Sequence, residues 1–340
     1  MSVLKKTLLG LVALVVLLVL IGLFLPSTAH VERSAAIDSS PARVFALING
    51  YRSFNKWSPW AERDPATQYV FEGPDTGVGA KMNWASENPQ VGTGFQMITL
   101  SEPDSRVETH LDFGSQGTAE AFFLLEPTES GTRVTWGFDT DFGLNLVSRY
   151  LGLMFDNWIG ADYEAGLANL KSMAEGLPPG DWTGLEIGVV EVEPSLIVFT
   201  ATSSSWDVAA IGQAFGTAYG QIGGFIAANK LQASGQPLAI TTSKSEVGWQ
   251  FDAGIPIAER PAIEIDPDSP VQIRQSPGGK TVRGVSIGSY SQLSASWEKV
   301  RAWVAAHGYE EAGPLWEQYI SDPGDTPEEE MVTHLYLPVR

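Results

Sequence analysis

The sequence predicts an α+β protein, with one apolar N-terminal helix ahead of two domains built from antiparallel strands and a few helices. Three observations carry this. Leu8 to Leu25 is an uncharged apolar run. Behind it, short alternating runs bounded by Gly, Pro, Asp and Ser are broken by long segments of helical period, the pattern of sheets packed under helices. The stretch "GLPPGDWTG" then interrupts the chain, and at 340 residues the length prior is also roughly two domains.

The N-terminal element comes first. Lys5 and Lys6 precede the apolar run, which at about 1.5 Å per residue reaches roughly 27 Å, close to the hydrocarbon thickness of a bilayer. A cleavable signal has a shorter apolar region of about 7–15 residues, although Ser27 and Ala29 suit a signal-peptidase site. Length favours an uncleaved anchor over residues 1–28. The positive-inside rule puts its N-terminus in the cytoplasm and the rest of the chain in a periplasm or extracellular space.

The first domain is expected over residues 29–176. "HVERSAAIDSSPARVFALING" reads as a strand followed by a helix with Ser40 as N-cap and Pro41 at its first position. About six strands follow between Thr67 and Thr140, from "TQYVFEG" to "TRVTWGFDT". Val147, Leu151, Met154, Trp158, Tyr163, Leu167 and Leu170 then recur at helical spacing, which predicts one long helix. This order, together with "FEGPDTGVGAKMNW", "GTRVTWGF" and "GLANLKSMAE", resembles the helix-grip plan of the polyketide cyclase and START-like (SRPBCC) superfamily. The resemblance implies a curved sheet around the long helix with an apolar cavity between them, and no fixed catalytic residues.

After a linker at 177–184, a second domain is expected over residues 185–340. It reads as an internal repeat of strand, helix, strand, strand, with helices from Trp206 to Lys230 and from Gln292 to His307. Its halves end alike in Ile255-Pro256-Ile257 and Leu337-Pro338-Val339. Two such βαββ units form one sheet with both helices behind it and the opposite concave face free. The "GSY" at Gly288 to Tyr290, the helix with Trp297 and Trp303, "WEQY", Asp322-Pro323 and the closing "LYLPV" resemble the GyrI-like effector-binding domain. That resemblance implies an acidic residue, here Glu317, at the bottom of an aromatic small-molecule pocket. No helix-turn-helix accompanies it.

Strand alternation sets Leu315, Glu317 and Tyr319 on one face and Trp316, Gln318 and Ile320 on the other. A carboxylate in so aromatic a strand is either a rim residue or part of a site. If buried alone it costs several kcal/mol, so it takes up a proton or meets a cation or donor. Aromatic faces add about 0.5–2 kcal/mol per cation–π contact, which makes a lipophilic cation a sensible ligand. Trp249 and Phe251 share a strand face and are candidate pocket walls or core, and Tyr290 either joins them or caps the sheet. In the first domain "WSPW" sets Trp57 and Trp60 on one side of a helical turn. With Trp84, Phe95, Phe113 and Trp136 they line a cavity or fill it.

The balance of 21 Lys+Arg against 40 Asp+Glu, net −19, disfavours nucleic acid as a partner. The absence of cysteine removes disulfides and thiolate chemistry. The four histidines, His30, His110, His307 and His334, are scattered, so no metal site is expected, and no cofactor is implied. "GVSIG" at Gly284 to Gly288 matches the nucleophile-elbow spacing but lies in a strand of an antiparallel repeat, the wrong setting for that motif. The function expected is a membrane-anchored protein binding small hydrophobic ligands, cationic aromatic ones among them, for sensing, sequestration or transfer. The rivals are a hydrolase with Glu317 and Tyr319 as acid/base pair, and an envelope interaction module with filled cavities.

Overall fold

The computed structural model describes residues 3–178, 180–263 and 265–340; residues 1 and 2 of the expected anchor and residue 179 of the expected linker lie outside them. The chain divides into two compact units, the first over 1–177 with 306–308 and the second over 178–305 with 309–340.

The first unit opens with α1 (Val3–Phe24), a helix long and apolar enough to cross a membrane. There follow β1 (Thr28–Ile37), α2 (Pro41–Ile48), α3 (Phe54–Trp57), α4 (Pro59–Arg63), β2 (Gln68–Glu72), β3 (Lys81–Ala85), β4 (Thr93–Glu102), β5 (Arg106–Asp112), β6 (Thr118–Pro127) and β7 (Thr132–Asp141). The strands form an antiparallel sheet in the order β1-β7-β6-β5-β4-β3-β2. As expected, α2 starts at Pro41, although the Ser40 side chain makes no capping hydrogen bond.

The single long helix of the sequence reading is two helices, α5 (Leu146–Gly152) and α6 (Phe155–Gly176). The Asn145 side chain caps α5 by accepting from the Ser148 amide. At its end the Phe142 ring occupies the space a side chain on Gly152 would need. The weak helix former and the wedged ring end the first helix there. α6 buries Tyr163, Leu167 and Leu170 against the sheet, and Gly166 lets it approach so closely that a Cβ there would lie 2.7 Å from the Trp136 ring.

The second unit contains β8 (Glu186–Val192), β9 (Leu196–Ser204), α7 (Val208–Ala228), β10 (Leu238–Ser245), β11 (Gly248–Pro256), β12 (Val271–Gln275), β13 (Gly279–Ile287), α8 (Leu293–Ala306), β14 (Trp316–Tyr319) and β15 (Val332–Pro338). Two strands precede each helix where the sequence reading had one. Pro194 and Pro277 explain it: each lacks an amide for the ladder and sits in the turn that folds a long run back on itself. The antiparallel order β12-β9-β11-β10-β14-β15-β13-β8 is the same from either edge once the two halves are exchanged. The halves meet at β10 and β14, where Ala239 faces Glu317.

Both helices pack on one face. α7 contributes Ala218 and Ile222 to a core with Val198, Phe251 and Ala253, and α8 contributes Trp297, Val300 and Val304 to one with Val282, Leu335 and Leu337. The other face is not a free concave surface: Ile197, Leu238, Ile240 and Trp316 are buried there, with Trp316 stacked on Tyr336 at 4.9 Å.

Candidate functional site

Glu317 lies in the middle of the second unit's sheet, 5% exposed, between Ala239 of β10 and Leu335 of β15. Alternation turns it, with Leu315 and Tyr319, toward the helices, so the site sits under them and not on the opposite face. Two neutral donors hold the carboxylate. Trp297 Nε1 of α8 donates to Oε1 at 2.8 Å, and Tyr319 Oη donates to Oε2 at 2.8 Å. Among the described residues no cation comes within ion-pair distance of it.

Aromatic rings wall the group. The Asp207 side chain caps α7, and two turns on Phe215 and Tyr219 project from one face of that helix. Phe215 lies 5.5 Å from Tyr319, 4.6 Å from Phe251 and 5.8 Å from Trp249, and Trp249 lies 4.2 Å from Phe251. The outward-facing polar atoms are satisfied: Tyr219 Oη donates to the Leu238 carbonyl and Trp249 Nε1 to Thr241 Oγ1, both at 3.0 Å. Tyr290, in a short 3₁₀ turn beyond β13, stands half-exposed with its ring edge-on to Tyr319 at 5.6 Å. Lys244 lies directly across the β10–β11 ladder from Trp249, and its ammonium sits 5.4 Å over that ring and 5.9 Å over Trp206.

Burial, then the Glu317 charge, pushes the Tyr319 hydroxyl well above its ordinary value, and the same two causes raise Tyr219. Both therefore stay protonated as donors. Although Lys244 is an exposed residue overall, burial of its ammonium against the indoles lowers its pKa, and the Glu317 charge opposes that shift.

An open cavity lies elsewhere, in the first unit. It encloses about 320 Å³ between sheet and α6, with Trp60, Tyr69, Trp84, Phe113, Phe155 and Tyr163 among its walls and Gln96, Asn55 and Asp162 among its polar groups. An ion pair from Arg63 holds the Asp162 carboxylate. Trp57 and Trp136, expected as possible ligand contacts, are core. Trp57 is fully buried, and its ring meets Phe54, Phe123 and Trp136. Nor do Trp57 and Trp60 share a helical turn, because Pro59 forces Ser58 into an extended conformation (ψ 128°) and splits α3 from α4. The two indoles instead approach Trp136 from α3 and α4, at 5.5 and 5.8 Å. Trp136 in turn stacks on the cavity-lining Tyr163 at 3.8 Å. Phe95 does not line the cavity and carries the Lys81 ammonium at 4.6 Å.

Residues 28–175 match the family described as polyketide cyclase / dehydrase and lipid transport, and residues 185–340 match the family described as GyrI-like small molecule binding domain. The chain joins a polyketide cyclase-like domain to a GyrI-like domain. Similar solved structures include the EcmrR C-terminal domain, at 15% identity and TM-score 0.41 over 46% of this chain and 99% of that one. A hydrolase from Listeria innocua gives 15% and 0.35 over 46% and 92%. The Aha1 dimer from Colwellia psychrerythraea gives 16% and 0.33 over 44% and 97%. No curated protein matches the chain.

In the GyrI-like domain, Phe215, Tyr219, Trp297 and Lys244 join the site without having been singled out as ligand contacts. The i, i+4 spacing of Phe215 and Tyr219 was the available signal. Ser286 of the elbow-like motif is buried inside β13 and hydrogen-bonded to Ser296 at 2.9 Å, with no hydrogen bond to an imidazole among the described residues. In the polyketide cyclase-like domain His30 meets Asp139 and His110 meets Glu120, and no metal-binding cluster occurs among the described residues.

Proposed function

We propose that the protein is a membrane-anchored binder of small hydrophobic molecules, with its domains on the periplasmic or extracellular side, and that the Glu317 site takes an organic cation. The observation that carries this is the state of the Glu317 carboxylate. Both oxygens are held by neutral donors, its charge has no ion partner among the described residues, and π faces surround it. A carboxylate in that setting is stabilised by a charge of opposite sign, and each aromatic face adds about 0.5–2 kcal/mol of cation–π attraction. Lys244 already rests an ammonium on one of those faces, which is the interaction a ligand would make. Ligand binding is the property named in the description of the family matched by this domain. The net charge of −19 argues against nucleic acid as a partner. The exchanged order of the two half-sheets supports a duplicated origin for the GyrI-like domain, with Ala239 where Glu317 stands in the other half.

The test is a titration of the full chain in detergent with phenyltrimethylammonium and with tert-butylbenzene, which has the same shape and no charge, followed by tryptophan fluorescence. The expected result is a cation preference of about tenfold or more, equivalent to about 1.4 kcal/mol, that disappears in Glu317→Gln. Binding indifferent to charge and to the substitution overturns the assignment.

A second reading, hydrolysis with Glu317 and Tyr319 as acid/base pair, rests on their 2.8 Å hydrogen bond. The raised Tyr319 hydroxyl makes it a reluctant acid. Turnover of an electrophilic ester by the wild type, abolished in Glu317→Gln, would favour this reading over simple binding.

A further inference from the structure

The polyketide cyclase-like domain carries an apolar surface that its fold does not use. Leu144, Val147, Leu151, Leu153, Met154 and Trp158, on α5 and its flanks, are each 45–84% exposed. In the whole segment 142–160 the charged residues are Arg149 and Asp156. Arg149 does not face water, and Asp156, although exposed, is held in an ion pair. Arg149 is buried, and its guanidinium donates to the carbonyls of Gly143, Leu23 and Leu25, while Asp156 pairs with Arg33 at 2.9 Å. A cluster of exposed apolar side chains of this kind marks a binding surface.

What covers it follows from where it sits. α5 lies against the last two turns of α1. Gly22 is buried, and a Cβ there would come within 3.2–3.3 Å of Tyr150 and Leu146, so the glycine is what lets the two helices touch. Tyr150 Oη donates to the Leu18 carbonyl at 2.6 Å. Leu18 stands six residues before the end of α1, or roughly 9 Å along a helix rising about 1.5 Å per residue. Interfacial helices bury their apolar faces about 5–10 Å into the headgroup and acyl boundary. If α1 crosses a bilayer, α5 is held at that depth, and Trp158 suits the aromatic belt of the interface.

We propose that α5 and its flanks dock into the outer face of the bilayer that α1 crosses, and that this seats the end of the cavity at the lipid surface. This rests on the reading of α1 as an anchor. The cavity lies at the right end of the domain: Thr28, where the chain leaves α1 for β1, pairs with Asp141, and the cavity-lining Gly92, Gly117, Thr140 and Phe142 sit at the neighbouring strand ends. Phe155 and Ile159, in the same segment as the exposed patch, line the cavity from within. A hydrophobic molecule thereby passes between acyl chains and cavity without crossing water.

Because the chain has no cysteine, single cysteines report cleanly. Spin labels are placed by Val147→Cys and Leu153→Cys, by Val16→Cys within α1, and by Ser130→Cys in the β6–β7 turn. The full chain is reconstituted in phosphatidylcholine vesicles, and collisions with oxygen, concentrated in lipid, are compared with those of a water-soluble nickel chelate. Labels at 16, 147 and 153 should favour oxygen several-fold, and the label at 130 the chelate. Position 16 in lipid with 147 and 153 in water overturns docking and leaves the anchor standing. Position 16 in water overturns both. Protection of 147 and 153 from both reagents means that protein, a second copy or another partner, covers the patch, and overturns lipid as its occupant.

Discussion

Lys244 is the residue that decides how the GyrI-like site behaves without ligand. Its ammonium rests on the Trp249 face within the field of Glu317, so under the proposed cation binding it competes with the ligand for both. Lys244→Gln should therefore tighten phenyltrimethylammonium binding several-fold; unchanged affinity would mean the ammonium does not compete. The pH dependence has a definite sign. Burial holds the lysine pKa below its usual 10.5, so as pH rises through that lowered value the competitor loses its charge and a permanent cation binds more tightly. Tyr319 and Tyr290 are shifted upward and keep their protons through this range. The rise should be absent in Lys244→Gln, and a rise that persists there assigns the titration to another group. Trp297 makes the complementary test. Trp297→Phe keeps most of the packing but strips Glu317 Oε1 of its donor, for a loss of about 1–3 kcal/mol in chemical denaturation. Strand alternation in "PLWEQY" was enough to set Glu317 and Tyr319 on one face. It gave no access to Trp297, because the pairing of an indole N–H with a carboxylate 20 residues away depends on where α8 lands on the sheet.

Whole elements explain which aromatics line a cavity and which pack the core. Pro59 ends α3, and the extended backbone it dictates at Ser58 sends Trp57 into the core and Trp60 to the cavity. Trp57→Ala should cost about 3–5 kcal/mol of stability, as expected for a large buried ring, read as a lowered midpoint in urea. Trp60→Ala, at a cavity wall, should cost much less and instead enlarge the cavity, read as altered binding of an apolar dye. Equal losses from the two would mean that Trp60 is core as well. The period of the helix after β7 was legible, but its break was not, since a ring wedged against Gly152 is a tertiary event. The same period put Val147, Leu151, Met154 and Trp158 in the row with Tyr163, Leu167 and Leu170. The row continues across the break, yet only its second half turns to the sheet. Periodicity identifies an apolar face and is silent about what covers it. The proline turns at Pro194 and Pro277 were likewise visible as residues, while the exchange of β8 and β12 between half-sheets was not, because edge pairing is settled by the whole sheet.

At the scale of the molecule, charge and apolar surface act in opposite directions. The net −19 includes the positive contributions of Lys5 and Lys6, so everything beyond the apolar run is more acidic still. Such a body is repelled by anionic headgroups, with a reach of about 8–10 Å at ordinary ionic strength. On the docking proposed above, attachment comes from the α1 helix and the apolar patch, since an electrostatic mode has the wrong sign. Vesicles of increasing phosphatidylserine content therefore distinguish the forces. With α1 inserted, the oxygen preference of labels at 147 and 153 should hold in neutral vesicles and weaken as anionic lipid is added. High salt should restore it by screening the repulsion while leaving apolar burial intact. Docking that strengthens with anionic lipid and is lost in salt would require a basic contact surface that this composition does not offer, and would return the patch to another role.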